Sequence, residues 1–405
     1  MQITFIRHAE TEGNLDGVWQ GQGDSALSVW GRAQAADLGR RPLVGEFDLV
    51  VASDLGRVLE TAAIAGLEPE TDPAWREVDV GDWEGLAAEE VEARHPEEMA
   101  ALRRAEDVAI GGGETWAGFG ERIDAAVASL IDRCDPGDRV AVVTHGGVIH
   151  SLVAGHLGWR RRPRPLPFDR LRNASLTTLE IDGTPILRVF NDASHTVTRS
   201  HPDEDGTVVA LIRHGETEAN LTGRWHGVTD GPLSSRGTAQ AEALASHYDG
   251  IAHVYTSHLA RARLTGAALA AASGVEMTER PDLHEIDFGE WEDLTAEEAR
   301  ARHREEWDAI YVHHRDLPRG RTGETAGGAG QRIAAAVEEI AVAHPGARVA
   351  AVTHGGAIRA YAAAVVGLGF DNRSHLALPG NVEVTHVRMA GPRPVLAAYN
   401  MRPGH

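Results

Sequence analysis

The strongest constraint on the fold is an internal repeat, because one set of short motifs occurs twice in the same order. The repeated blocks are FIRHAETEGN (5–14) and LIRHGETEAN (211–220), SDLGR (53–57) and SHLAR (257–261), EVDVGDWE (77–84) and EIDFGEWE (285–292), and VTHGG at 143–147 and 352–356. The offset between copies stays between 204 (257 − 53) and 209 (352 − 143) residues. Chance similarity would not keep both order and spacing, and the period is far too long for a solenoid. The chain is therefore predicted to contain two copies of one domain.

The length agrees with two domains. A chain of 405 residues exceeds the roughly 150 residues of an average domain, and each half is long enough to bury its own core. We predict a first domain at 1–195, a polar, turn-rich linker at 196–206 and a second domain at 207–405.

Short apolar runs alternate with helical patterns in both halves. The apolar runs lie at 3–6, 47–52 and 140–143, then at 208–212, 251–255 and 349–352. The helical patterns lie at 31–38, 89–104 and 115–133 and at the equivalent second-half positions, with Thr115 and Thr325 as expected N-caps. Two short strands close each half, at 176–181 and 186–190, then at 382–389 and 395–399. This alternation predicts an α/β protein with two tandem three-layer α/β/α domains, each with a mostly parallel central sheet.

The charge balance limits the possible partners. The formal net charge is −21, and all 39 basic residues are Arg. An acidic surface repels nucleic acid and anionic lipid, so we expect neither as a partner and place any anionic substrate in a local Arg and His pocket. No apolar run approaches the roughly 18 to 20 residues of a membrane span, and the first residues lack a signal-peptide pattern, so a cytoplasmic location is expected. The single Cys134 excludes an intramolecular disulfide and a Cys-based zinc cluster.

Polar residues of the repeated motifs fall directly after predicted strands. Arg7 and His8 follow the first strand, Ser53 the second and His145 the third. The carboxyl ends of strands line the ligand crevice of open α/β sheets, so we expect these side chains to share one pocket. The second half repeats this set as Arg213, His214, Ser257 and His354.

These residue types suit phosphoryl transfer. A nucleophilic imidazole must be unprotonated at neutral pH, and adjacent guanidinium groups disfavour its protonation while binding phosphate oxygens. A second histidine supplies a further donor, and the Gly-Gly after it is expected to let backbone N–H groups approach the transferring group. A carboxyl group at Glu77 or Glu285 could protonate the leaving alkoxide and then activate water.

The ordered motifs resemble the histidine phosphatase superfamily, also called the phosphoglycerate mutase-like family, over almost all of both halves. The resemblance implies phosphorylated nucleophiles at His8 and His214 and proton donors at Glu77 and Glu285. It also implies a phosphate pocket, with Asn contacts to the phosphoryl group, made of Arg7, Asn14, Arg57 and His145 and of Arg213, Asn220, Arg261 and His354.

The two copies differ at two positions in or near the motifs. Ala9 stands where the second copy has the usual Gly215, which is expected to alter the backbone approach beside the nucleophile slightly. Gln20 is replaced by His226, which is expected to change contacts to the non-phosphate part of the substrate.

Three functions remain open. The preferred one is a metal-independent phosphomonoesterase of the histidine acid phosphatase type, acting on a small phosphorylated metabolite without a cofactor. The others are a phosphoglycerate-type mutase, or one active copy beside a phospho-ligand binding or regulatory copy. Members resembling cofactor-dependent mutases have a longer segment between the acid and the second histidine than the 68 (145 − 77) and 69 (354 − 285) residues here. Hydrolysis is therefore favoured, while the sequence does not indicate an oligomeric state.

Substrate specificity is assigned to the segments between the acid motif and the Gly-Glu-Thr motif, because these differ most between the copies. They contain Met99, Arg103, Arg104 and Trp116 in the first copy and Arg304, Trp307, Tyr311, His313 and Arg315 in the second. We expect the two pockets to prefer different substrates, or one of them to be slow.

Overall fold

The computed structural model describes residues 1–104, 106–159, 166–196, 206–391 and 393–403. The described chain separates into two compact units. The first contains the residues up to 166 and from 170 to 196, and the second contains the residues from 206 onward together with Pro167–Asp169. Most of the predicted linker lies outside the described residues, so the proposed domain bounds remain a prediction.

The described part of the first unit has a six-stranded, mostly parallel sheet. Its strands are β1 (Gln2–Arg7), β2 (Leu49–Ala52), β3 (Glu70–Thr71), β4 (Arg139–Thr144), β5 (Leu176–Glu180) and β6 (Ile186–Asp192). Their order across the sheet is β3-β2-β4-β1-β5-β6. Strands β1 to β4 are mutually parallel, and β5 is antiparallel to both of its neighbours. In the central pair Ile3 is opposite Val140 and Arg7 is opposite Thr144, so β1 and β4 end side by side.

Helices cover both faces of this sheet. They are α1 (Glu12–Leu15), α2 (Val29–Gly39), α3 (Gly56–Ile64), α4 (Ala88–Arg94), α5 (Pro96–Arg103), α6 (Trp116–Asp132) and α7 (Gly146–His156), with 3₁₀ turns at Pro42–Glu46, Pro73–Trp75, Gly81–Trp83 and Ile110–Gly112. Successive strand residues point to opposite faces. Ile6 accordingly packs in a cluster with α2 and α3, whereas the Phe5 ring lies 6.1 Å from that of Trp75, whose turn contacts α6.

The second unit repeats this architecture within its described residues. Its strands are β7 (Thr207–Arg213), β8 (Val254–Thr256), β9 (Met277–Glu279), β10 (Arg348–Thr353), β11 (Val384–Met389) and β12 (Val395–Met401). The order β9-β8-β10-β7-β11-β12 matches that of the first unit strand for strand. Again the four strands at one side are parallel and β11 is antiparallel to β7 and β12.

The helices of the second unit follow the same plan. They are α8 (Glu218–Thr222), α9 (Ser235–His247), α10 (Ala260–Ser273), α11 (Ala296–Arg302), α12 (Arg304–Trp307), α13 (Ala326–Ala343) and α14 (Gly355–Val365). A π-helical turn at Asp308–Val312 follows α12, and 3₁₀ turns lie at Pro281–Leu283, Gly289–Trp291 and Phe370–His375. Helices α9 and α10 pack on one face of the sheet through Ala210, Ile212 and Val352, while α13 and α14 contact each other and β7.

The predicted α/β class and mostly parallel sheets are confirmed. Thr115 and Thr325 cap α6 and α13 as expected, their hydroxyls accepting the N–H of Gly118 and Gly328. The single helix predicted at 89–104 is wrong, because Pro96 ends one helix and starts the next. Proline has no N–H to donate and disfavours helical geometry at the preceding residue. In the described part of the chain, no helix is long and apolar enough to cross a membrane.

Candidate active sites

The strand arrangement brings the two motif histidines of each unit together. His8 follows β1 and His145 follows the adjacent parallel strand β4. Their rings meet edge to face with centroids 5.3 Å apart, and those of His214 and His354 are 5.1 Å apart. The two histidines expected to meet at the strand ends are therefore adjacent in both units.

Hydrogen bonding orients the ring of the candidate nucleophile. His8 Nδ1 lies 2.8 Å from the carbonyl oxygen of Ala9, and His214 Nδ1 lies 2.7 Å from that of Gly215. A carbonyl can only accept, so Nδ1 carries the hydrogen and Nε2 keeps its lone pair. Both rings are almost fully buried. Each imidazole is thus held in the tautomer that a nucleophile at Nε2 requires.

Burial and neighbouring arginines keep these rings neutral. Burial is the main cause that holds the pKa of His8 well below its usual range, and Arg7 and Arg57 lower it further. The pKa of His214 is lowered in the same way, by burial and then by its two arginines. Burial also lowers the pKa of Arg7 to about 10, which leaves its guanidinium charged at neutral pH.

The arginines are held by backbone carbonyls. Arg57 donates from Nη1 to Gly23 at 2.5 Å and from Nη2 to Gly21 at 2.8 Å, and Arg7 donates to Leu171. In the second unit Arg261 donates to Thr229 at 2.8 Å and Gly227 at 2.7 Å, and Arg213 donates to Pro379 at 2.6 Å. The Nε atoms of Arg7, Arg57 and Arg213 are buried and have no hydrogen-bond partner among the described residues. Buried, unsatisfied N–H groups beside a nucleophile are suited to binding an anion.

Each predicted Asn is joined to the nucleophile by a second Asn that sequence reasoning missed. Asn173 Nδ2 donates to the carbonyl of His8 and to Oδ1 of Asn14, both at 3.1 Å. Asn381 makes the same bonds to His214 and Asn220 at 3.0 and 3.2 Å. These bonds engage the amide oxygens of Asn14 and Asn220, so their NH₂ groups can still donate to a ligand.

The residue after each connecting Asn has a strained backbone. Ala174 and Val382 have φ values of 57° and 56°, and the left-handed region is strongly disfavoured for a β-branched side chain. The Ala174 N–H donates to the carbonyl of His8, and the Val382 N–H donates to that of Arg213. Strain of this kind is of order 1–3 kcal/mol and concentrates at functional sites. Here the strained conformation allows hydrogen bonds that connect the chain at the end of β1 or β7 to the loop before β5 or β11.

The carboxyl groups of Glu77 and Glu285 lie at a helix N-terminus. Glu77 Oε2 accepts the N–H of Gly147 at 2.9 Å, and Glu285 accepts those of Gly356 and Ala357 at 2.9 and 2.8 Å. A Cβ on Gly147 would lie 2.1 Å from Glu77 Oε1, so a larger residue there would displace the carboxyl group. The N–H of the second glycine therefore binds the carboxylate, and the expected approach of the Gly-Gly backbone to the transferring group stays a prediction.

The second histidine is held differently in the two units. His145 Nε2 lies 2.9 Å from Ser53 Oγ, whereas His354 Nδ1 accepts from Arg261 Nε at 3.3 Å. The buried His145 Nδ1 and His354 Nε2 have no hydrogen-bond partner. Burial is the largest cause of a lowered pKa in both rings.

The two sequence departures have distinct structural consequences. Ala9 is fully buried, yet its N–H donates to Thr61 at 3.0 Å just as Gly215 donates to Thr265 at 3.0 Å. A Cβ on Gly215 would lie 2.4 Å from the carbonyl oxygen of Gly237, so alanine is accommodated in the first unit only.

Gln20 and His226 bind different partners. Gln20 Oε1 accepts the hydroxyl of Thr11 at 2.9 Å, while His226 Nε2 lies 3.3 Å from Asp293 Oδ1. The loops whose carbonyls accept hydrogen bonds from Arg57 and Arg261 are therefore bound to different parts of their units.

The segments assigned to specificity also differ. In the first unit Arg103 and Arg104 form exposed ion pairs with Glu92 and Glu106. In the second unit Trp307 and Tyr311 join an aromatic cluster, defined here as Trp225, Phe288, Trp291, Trp307 and Tyr311. The Trp225 and Trp307 rings stack at 12° with centroids 5.8 Å apart.

Known proteins share these features. The sequence profile of the histidine phosphatase superfamily (branch 1) matches residues 3–193 and again 209–402. The chain belongs to this superfamily. A curated relative, the probable phosphoglycerate mutase GpmB of Salmonella choleraesuis, is 32% identical over 212 residues, which is 48% of this chain and 94% of the relative.

Solved structures of phosphatases resemble about half of the chain. A mycobacterial glucosyl-3-phosphoglycerate phosphatase is 32% identical over 44% of this chain and 92% of its own, with a TM-score of 0.39. The Entamoeba histolytica phosphoserine phosphatase is 26% identical over 48% and 98%, with a TM-score of 0.45. The Shigella flexneri alpha-ribazole phosphatase is 26% identical over 50% and 100%, with a TM-score of 0.42.

Metal ligands were also sought among the described residues. No group of three or more His, Cys, Asp or Glu side chains there is arranged to hold a metal ion. The histidines of the second half instead have local partners, such as Tyr255 Oη, which lies 3.0 Å from His344 Nε2.

Proposed function

We propose that the protein is a phosphomonoester hydrolase that forms a phosphohistidine at His8 and at His214. One observation carries this proposal most directly. In each unit a buried imidazole has its Nδ1 bonded to a carbonyl, and burial together with two neighbouring guanidinium groups holds its pKa well below the usual range. This combination supplies a neutral nucleophile and a binding site for a phosphate dianion.

The first half-reaction would form the phosphoenzyme. His8 Nε2 attacks phosphorus while the bond from phosphorus to the leaving oxygen breaks, and Glu77 gives that oxygen its proton. Arg7, Arg57 and His145 stabilise charge on the equatorial oxygens, which is the main requirement of phosphoryl transfer. The alcohol then leaves, and the phosphoryl group remains on Nε2.

The second half-reaction would restore the enzyme. Water attacks phosphorus, the Nε2–phosphorus bond breaks, and the Glu77 carboxylate accepts the water proton. Inorganic phosphate leaves and His8 is again neutral. The second unit holds the equivalent groups for the same cycle at His214, Glu285 and His354.

A small phosphorylated metabolite is the proposed substrate. The solved phosphatases that resemble the chain are named for glucosyl-3-phosphoglycerate, phosphoserine and alpha-ribazole. The proposal is supported by the buried arginine pockets, which suit an anion in an otherwise acidic protein of net charge −21. Because arginines supply the positive charge, we expect activity to survive dialysis against EDTA.

A mutase is the second candidate, since the curated relative is named as a probable phosphoglycerate mutase. The two functions differ in the fate of the phosphoryl group. Incubation with 3-phosphoglycerate should release free phosphate if the protein is a hydrolase and should yield the 2-isomer if it is a mutase. Isomer formation without phosphate release would overturn the hydrolase proposal.

The direct test of hydrolysis is a chain with both nucleophiles replaced. His8→Ala with His214→Ala is expected to release no phosphate above background from any ester that the native chain hydrolyses. Retained hydrolysis would contradict the proposal.

A further inference from the structure

Arg122 lies in α6, and its guanidinium binds the backbone that leads into Glu77. Nη1 donates to the carbonyls of Ala74 and Arg76 at 2.9 and 3.0 Å, and Nη2 donates to that of Glu77 at 3.2 Å. Three carbonyl groups within four residues thus point at one cation. The conformation of this segment depends on the Arg122 side chain.

Glu114 fixes that guanidinium in turn. Its two carboxylate oxygens accept from Arg122 Nε at 2.8 Å and Nη2 at 2.7 Å. One oxygen also accepts the N–H of Asp79 at 2.9 Å, and the Glu114 N–H donates to the carbonyl of Asp79 at 2.9 Å. A bidentate pair sets the plane of the guanidinium as well as its position. The backbone on both sides of Glu77 is therefore bound to one ion pair.

The second unit repeats this arrangement. Arg332 donates to the carbonyls of Asp282 and His284 at 2.8 and 2.9 Å and to that of Glu285 at 3.4 Å. Its Nε and Nη2 bind the carboxylate of Glu324 at 3.0 and 2.6 Å. Both ion pairs are largely shielded from solvent, with side-chain exposures of 24% and 25% in the first unit and 17% and 21% in the second.

We propose that Arg122 and Arg332 are positioning residues that hold the Glu77 and Glu285 carboxyl groups at the leaving-group oxygen. The inference rests on the proposed function, in which these carboxyl groups donate the proton. Both arginines act through the backbone that carries the glutamate, and neither transfers a proton or contacts the phosphoryl group in this proposal. A small displacement of a general acid has a large kinetic cost, since proton transfer requires hydrogen-bond reach.

The test compares two esters whose leaving groups differ in their need for a proton. Nitrophenolate leaves with little assistance, whereas the alkoxide from glycerol 3-phosphate must be protonated. Arg122→Gln is made in a chain carrying His214→Ala, so that only the first site turns over. We expect kcat/KM, which reports the first half-reaction alone, to fall about 100-fold with glycerol 3-phosphate but less than about 5-fold with 4-nitrophenyl phosphate.

A double variant separates positioning from general destabilisation. Where Glu77→Gln is already present, Arg122→Gln is expected to lower kcat by less than about 3-fold further, because residues that act as a unit are not additive. Arg133→Gln is the matched control, since Arg133 follows the same helix and forms an exposed ion pair with Glu70. It should leave the ratio of the two kcat/KM values unchanged.

The possible outcomes distinguish a positioning role of Arg122 from a merely structural one. Equal losses with both esters, or a full additional loss in the Glu77→Gln background, would show a merely structural role and overturn the inference. If Arg122→Gln does not fold, Arg122→Lys keeps the charge without the planar fork, and the same ratio of kcat/KM values is measured for it. If phosphohistidine forms in the Arg122→Gln chain at a rate that does not depend on the leaving group, this inference alone is refuted. If the parent chain with His214→Ala forms no phosphohistidine from either ester, the proposed function is refuted.

Discussion

The two active sites agree in the groups closest to the nucleophile and differ in the groups that surround them. Both place the paired histidine rings at nearly the same distance, 5.3 and 5.1 Å, and both bond Nδ1 of the nucleophile to a carbonyl. Yet His145 is bonded to Ser53, whereas His354 is bonded to Arg261. The shared part corresponds to what phosphoryl transfer demands, so it tolerates little change.

The outer difference is largest beside the acid motif. Met99 and Arg103 of the first unit stand at the positions of Trp307 and Tyr311, at the offset of 208 that also relates Glu77 to Glu285 (285 − 77, 307 − 99 and 311 − 103). The second unit packs its two residues into the aromatic cluster, and the first unit presents an exposed ion pair instead. Residues outside the reaction centre are thus the ones free to set substrate preference.

The largest expected effect comes from removing one nucleophile at a time. His8→Ala should abolish turnover in the first unit, and His214→Ala in the second, by on the order of 10⁴-fold or more. Kinetics of the two single variants over a panel of phosphometabolites would then report each site alone. The outer differences predict two distinct substrate profiles, and coinciding profiles would contradict that expectation.

The next effect concerns the proposed acids. Glu77→Gln and Glu285→Gln should each lower kcat of their own unit by about 10²- to 10⁴-fold for esters with poor leaving groups, since general acid catalysis is lost. The losses should match, because both carboxylates accept N–H groups of the helix that follows the second histidine. Stopped assays in the single-site chains would measure them. A loss confined to one unit would show that the other draws its proton elsewhere.

Acid should destabilise the first unit more steeply than the second. The motif histidines of both units have a pKa below that of an unfolded histidine. The first unit adds His195, whose pKa burial lowers to about 4, and the second adds the half-buried His253, whose pKa is lowered less. Below about pH 6.5 the unfolded chain binds protons that these native histidines do not. The free energy of unfolding therefore decreases as the pH is lowered, with a slope that approaches about 1.4 kcal/mol per pH unit for each such histidine. For His195 this decrease continues down to about pH 4.

Hydrogen exchange measured by mass spectrometry between pH 7 and pH 5 can follow peptides of each unit separately. His195→Asn cannot titrate and should make the pH dependence of the first unit resemble that of the second. An unchanged dependence in this variant, or a steeper one in the second unit, would contradict the assignment.

The smallest effect tests the partner of the second histidine. Ser53→Ala removes the bond to His145 and should lower kcat of the first unit by about 2- to 10-fold, the value of one hydrogen bond. Ser257→Ala is the matched control, because both serine hydroxyls accept a loop N–H but His354 is bonded to Arg261 instead. Equal losses in the two units would remove this distinction.

Most of the fold was predictable because its strongest signals are local. Buried parallel strands appear as continuous apolar runs, so β1, β4, β7 and β10 match their predicted positions to within one residue at each end. The short strands β3 and β9 were missed because they have two and three residues, all of them exposed. Such strands exist through pairing with a neighbour, which no sequence period reveals.

In the candidate site, too, some residues have a local sequence signal and others depend on the completed fold. The proposed nucleophile and the second histidine belong to the repeated motifs, and the structure brings them together. Arg122, Glu114 and Asn173 were missed because they bind backbone carbonyl and N–H groups, whose positions depend on the completed fold. The repetition of Glu114 as Glu324 and of Arg122 as Arg332, both at an offset of 210 (324 − 114 and 332 − 122), is the signal that could have indicated them.

The most direct measurement is to trap the phosphoenzyme. The native chain is mixed with a phosphomonoester, quenched in denaturant at alkaline pH, where phosphohistidine survives, and digested for mass spectrometry. We predict phosphate on the imidazoles of His8 and His214, loss of one modified peptide in each single alanine variant, and loss of both in the double variant. Phosphate on any other residue, or turnover with no modified histidine in either unit, would contradict the account.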